Sequence, residues 1–120
     1  MNIEFKFTIE QEDIPVRGNA IASGDDVFDR RVEDEIITRL TRGDICAWCS
    51  VRVDAMIRVE GQLFVGTAGL SACSANSDAE VLMQARQAGT EDEARSTLVE
   101  VLREAVRRGL AAQGALREIA

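Results

Sequence analysis

Histidine and tyrosine are absent from these 120 residues, and proline, tryptophan and lysine each occur once, at Pro15, Trp48 and Lys6. Without histidine the chain lacks the side chain that most often serves as general base and metal ligand near neutral pH. Gly66-Thr67-Ala68-Gly69 lacks the lysine of a phosphate-binding loop, and no serine stands in a nucleophile-elbow setting. No apolar run approaches the roughly 18 residues of a membrane helix, and the polar–apolar alternation from Ile3 onward is unlike a signal peptide. These absences lead to the expectation of a cytoplasmic protein with no membrane partner, no cofactor and no enzymatic activity.

What is present supports a folded domain. Hydrophobic residues make up 46% of the chain, enough to fill a core, and 120 residues suit a single domain over 1–120. The net charge is −7, and acidic balance opposes a grip on phosphate backbones, so no direct nucleic-acid binding is expected. Cys46, Cys49 and Cys73, an odd number without a secretion signal, are expected to be reduced.

Periodicity predicts the elements. Residues 3–9 alternate, with Ile3, Phe5, Phe7 and Ile9 on one side, as a half-buried strand does. A loop through Pro15 and the Gly18–Gly24 segment follows. Asp25 and Asp26 then open a helix over 25–42, its stripe formed by Phe28, Val32, Ile36, Ile37 and Leu40. From Ile45 the period changes to two. Strands over 47–59 and 63–70 are expected to form an antiparallel hairpin, with Cys49, Val51, Val53, Ala55, Ile57 and Val59 inward. Reading Glu60-Gly61-Gln62 as the turn puts Leu63, Val65 and Thr67 inward, whereas a two-residue turn puts Phe64 inward. Ser77 with Glu80, and Thr90 with Glu93, read as capping boxes for two C-terminal helices, the second ending near Leu110 in a frayed tail. The fold class is α+β in the order β-α-β-β-α-α: a two-layer domain with a three-stranded antiparallel-type sheet and helices packed on one face.

Few motifs suggest chemistry. Cys46-Ala47-Trp48-Cys49 has the spacing of a redox pair, but it enters a strand, where residues three apart face opposite sides. A zinc site would lack its fourth ligand. Cys49 and Cys73 are therefore read as core and Cys46 as rim, with no metal. Glu10, Glu12, Asp13, Asp25 and Asp26 do not match a calcium loop. Arg42-Gly43-Asp44 reads as a helix end, and Thr90-Glu91-Asp92-Glu93 presents acid where a DNA-reading helix would meet phosphate. A small enzyme or metal/redox protein using the Cys46/Cys49 region or the acidic loop is the alternative reading. The candidate partner-binding residues are Trp48, Arg52, Met56 and Arg58 on the second strand face, joined by Phe64.

The string Ile9-Glu10-Gln11-Glu12-Asp13-Ile14-Pro15-Val16-Arg17-Gly18-Asn19-Ala20-Ile21-Ala22-Ser23-Gly24-Asp25-Asp26 resembles a motif of small uncharacterised phage and prophage proteins. There too it precedes an acidic–basic helix and a strand with a tryptophan, matching Val32-Glu33-Asp34-Glu35-Ile36-Ile37 and Ala47-Trp48, so the resemblance spans residues 8–50. It implies a non-enzymatic accessory protein that binds a host protein or nucleoprotein complex in the host cytoplasm, for example as an anti-CRISPR-like inhibitor of a defence complex. It assigns no catalytic or binding residues. A self-associating accessory protein, such as a homodimer, is a further alternative.

Overall fold

In a computed structural model that describes residues 2–120, the chain forms β1 (Glu4–Gln11), α1 (Asp26–Thr41), a 3-10 turn (Ile45–Ala47), β2 (Cys49–Val59), β3 (Gln62–Cys73), α2 (Asp78–Gln87), α3 (Thr90–Arg107) and α4 (Gln113–Ile119). The strands make a three-stranded antiparallel sheet in the order β1-β2-β3, and the class is α+β. The described residues group into two compact units, each assembled from separate stretches of chain.

The first unit takes β1 as far as Thr8, Arg52–Gly69 and Ala85–Ala120. Its hairpin turns on Glu60 (φ 51°) and Gly61 (φ 80°), both left-handed, as a two-residue type I′ turn requires. This turn decides the register. Phe64, Gly66 and Ala68 face the core, while Leu63, Val65 and Thr67 face outward, which corrects the register expected from a three-residue turn. Val53, Ala55, Ile57 and Val59 are buried as their alternation demands. On this inner face α3 crosses β3 so closely that a Cβ on Gly66 would lie 2.1 Å from Leu98 N and 2.6 Å from Ala94 O. The missing side chain of Gly66 lets the backbones approach, and Ala94, Leu98 and Leu102 of α3 are fully buried.

Gly89, at φ 77°, holds the N-cap position of α3 and makes no side-chain cap bond. Thr90 lies inside the helix and is buried, so the capping box expected at Thr90 and Glu93 does not form. Acidic Glu91, Asp92 and Glu93 compensate the helix dipole in that first turn. The C-terminal residues do not fray either. Ala112, Ala115 and Ile119 bury one side of α4, and Arg95 Nη2 donates to Ile119 O at 3.3 Å.

The second unit takes Ile9–Val51 and Leu70–Gln84. Asp25 caps α1, its Oδ1 accepting from Val27 N and Phe28 N at 3.1 Å each. The helix ends in a Schellman motif: Gly43 N donates to Leu40 O at 2.9 Å and Asp44 N to Arg39 O at 3.0 Å, with Gly43 at φ 86°. Arg42-Gly43-Asp44 is thus a helix terminator. The apolar stripe begins at Val32 and not at Phe28, which is exposed beside Val27 at the helix start. Val16, Ile36, Ala47 and Trp48 form the cluster beneath it, with Ala20, Val32, Ile37 and Leu40 at its margin. At the start of α2, Glu80 N donates to Ser77 Oγ at 3.2 Å, and the Glu80 carboxylate accepts from Asn76 N. This is the expected capping box, closed one residue further out.

Candidate functional site

The sequence placed Trp48, Arg52, Met56, Arg58 and Phe64 on one open face, and only three of the five stand on it. Arg52, Met56 and Arg58 do project from the outer side of β2. Trp48 is core, 2% exposed, because the loop bearing Ile14 and Val16 closes over it. Its indole Nε1 donates to Ile14 O at 2.6 Å, which satisfies the one polar atom the ring carries inward. Phe64, 6% exposed, is core because the two-residue turn rotates it to the α3 side. The same rotation brings Leu63 (45% exposed) and Val65 (36% exposed) outward in its place. Sequence reasoning missed these two, and the Glu60-Gly61 pair was the signal that could have found them.

The outer face of the first unit therefore carries Met56, Leu63 and Val65 with Arg52 and Arg58 to either side along β2. Thr67 Oγ1 donates to Asp54 Oδ1 at 2.7 Å, and Arg52 Nε lies 3.4 Å from Asp54 Oδ2. This chain of contacts holds the Arg52 side chain along the strand. At the other end Met56, Arg58 and Leu63 share a depression of about 230 Å³ with Asn2 and Glu4. An apolar centre bordered by arginines suits protein contact, since methionine and arginine both bury large areas and are enriched in interfaces.

The three thiols of the cysteine region are buried. Cys46 is buried and not on the rim as expected, and its Sγ donates to Asp78 Oδ1 at 3.0 Å. Losing that proton would set a thiolate against a carboxylate, so this bond, and then burial, push the Cys46 thiol up to about 11. Burial pushes Cys49 up to about 12 and raises Cys73 also. All three are free cysteines. In native protein near pH 8 the thiolate fraction of Cys46, and hence its alkylation rate, should be about a hundredfold or more below that of the unfolded chain. Stopped-flow thiol titration with and without denaturant measures this, and a fast native phase at Cys46 would contradict it. Among the described residues no group of three or more His, Cys, Asp or Glu side chains could hold a metal ion.

The acidic loop is occupied by its own backbone. Glu12 accepts from Asp13 N at 3.0 Å and Ile14 N at 3.3 Å through one oxygen, and from Ala72 N at 2.7 Å through the other. The Ala72 N–H above all holds the Glu12 carboxyl below its usual range. Buried Glu33 accepts from Gly18 N at 2.6 Å and from Arg17 Nη1 at 3.3 Å, and Arg17 also pairs with Asp34. Asn19 Nδ2 donates to Pro15 O at 2.8 Å, and Ser23 donates to Asp29 through both its amide and its hydroxyl. The unusual string over residues 9–26 is thus a clasp that fixes the loop to α1 and to the end of β3. Within it the Glu12 and Asp25 carboxylates are engaged by backbone N–H groups.

Comparison with protein-family models, with curated proteins and with solved structures finds no match to this chain. Among the described residues no helix is long and apolar enough to cross a membrane.

Proposed function

We propose that this protein acts by binding another protein through the outer face of its sheet, without chemistry of its own. The observation that carries this reading is the apolar centre of Met56, Leu63 and Val65 between Arg52 and Arg58, on the face opposite α3. Exposed valine and leucine side by side on a sheet are uncommon on an unpartnered surface. On a chain of net charge −7 the arginines here favour a partner with local acidic groups. The resemblance of residues 8–50 to phage and prophage proteins points to a bacterial host protein or nucleoprotein defence complex as that partner, in the host cytoplasm. A thiol- or metal-based activity at Cys46 and Cys49 has less support, since buried, protonated thiols are poor nucleophiles and poor ligands.

The test is a double change on the central strand, Met56→Asp with Arg58→Glu. Both side chains reach outward, so the fold should persist by circular dichroism while partner affinity falls by about 2 kcal/mol or more. Val27→Asp, on the exposed start of α1, should bind as the unaltered protein does. Undiminished binding by the double variant would overturn the assignment.

A further inference from the structure

We propose that two copies of this chain join through the free edge of β3, continuing the sheet from one protomer into the other. β3 lies at one end of the order β1-β2-β3, so one row of its N–H and C=O groups points away from β2. Among the described residues, no backbone hydrogen bond formed outside helices and strands reaches residues 62–69. An unpaired edge of this length commonly carries lysine, proline or another charge that discourages pairing. β1, the other edge, has Glu4, Lys6 and Glu10, whereas β3 from Gln62 to Cys73 has no charged residue.

That lack of charge favours a second copy as the occupant. Copies of a chain at −7 repel one another, and an approach along β3 brings no charged side chain of that strand against its copy. Antiparallel pairing about a two-fold axis sets the outward Leu63, Val65 and Thr67 of one protomer beside the same residues of its partner, an apolar and uncharged cross-strand set. On the other side of the strand, a groove of about 450 Å³ runs between Phe64 and α3, with Val101, Ala105 and Leu110 as its apolar lining. The α3 flank above it alternates sign, Glu100 pairing with Arg103 and Glu104 with Arg107 and Arg108, so it too can meet its own copy without net repulsion. The groove would close on the dimer axis, and the outer faces of both protomers would become one surface. The inference shares Leu63 and Val65 with the partner-binding face, but it rests on the free β3 edge, and the mass of the purified protein reads it whether or not Met56 and Arg58 contact a partner.

Sedimentation across micromolar concentrations, with hydrogen exchange at high and low concentration, tests it. The expected species has twice the 13.1 kDa of one chain. Amides within residues 62–69 should exchange faster on dilution. Val65→Lys, at an outward and half-open position, sets two ammonium groups side by side and should weaken the dimer by about tenfold or more while leaving the monomer folded. A monomer at every concentration would overturn the proposal, as would a dimer that Val65→Lys leaves intact. Because Val65→Lys could itself disturb the strand, the unaltered protein gives the second criterion: a dimer whose residue 62–69 amides exchange equally at both concentrations also overturns it.

Discussion

Gly66→Ala should destabilise the protein by about 3 kcal/mol or more, the upper range for overpacking in a tightly filled core. One methyl group is added, but the atoms it meets are backbone: Leu98 N at 2.1 Å, Leu98 Cα at 2.5 Å and Ala94 O at 2.6 Å. A side chain could rotate away, whereas here α3 itself must lift from the sheet. Lifting it would loosen Leu98 and Leu102, both fully buried, so the damage reaches the centre of the first unit. For a domain of this size the loss corresponds to roughly 10 °C or more in Tm. Thermal melts of Gly66→Ala and of Gly114→Ala, where an added Cβ meets nothing within 4 Å, make the comparison. Equal melting of the two variants would mean that α3 does not rest on β3 as described.

Trp48→Ala should cost about 3–5 kcal/mol of stability. The change empties the space among Val16, Ile36 and Ala47 and leaves the Ile14 carbonyl without its 2.6 Å donor. Trp48→Phe should fall between, keeping most of the ring volume while losing the hydrogen bond, typically worth about 1 kcal/mol. Partner binding by the folded fraction should be unchanged in both, because Trp48 is buried in the core of its own unit. Urea denaturation gives the stabilities. A Trp48→Ala protein of ordinary stability that no longer binds would return the tryptophan to the contact surface.

How the sequence misplaced Trp48 shows what periodicity can and cannot convey. Alternation from Cys49 to Val59 does convey the buried set, since every second residue there is buried. Trp48 continues that alternation backward, but it belongs to the end of the 3-10 turn, where a loop distant in sequence covers the other side. Nothing in a two-residue period reports such a loop. The β3 register failed for a local reason: Glu60 accepts a left-handed conformation, a rare choice for glutamate, and one residue fewer in the turn exchanges the faces of the strand.

Local hydrogen-bond chemistry was the most legible part. Asp25 as N-cap, Gly43 as helix terminator and Ser77 with Glu80 all fall where their side chains or backbone freedom are needed. Thr90 with Glu93 carries the same pattern, yet Gly89 adopts the left-handed capping conformation and Thr90 is buried. The short α4 was hidden by Gly114 and by its length of 7 residues, too few to hold as an isolated helix; burial of Ala115 and Ile119 holds it helical. At the candidate site, Arg52, Met56 and Arg58 followed from alternation, while Leu63 and Val65 depended on the turn.

The most direct measurement of the outer face as the contact surface is site-specific photo-crosslinking in a bacterial lysate. A benzophenone side chain would replace Met56 in one variant and Val27, the most exposed large hydrophobic on α1 (72% exposed), in the other. The face proposed here predicts a single discrete adduct from position 56, abolished by Arg58→Glu, and none from position 27. An adduct from position 27 alone, or one from position 56 that persists in Arg58→Glu, would contradict it.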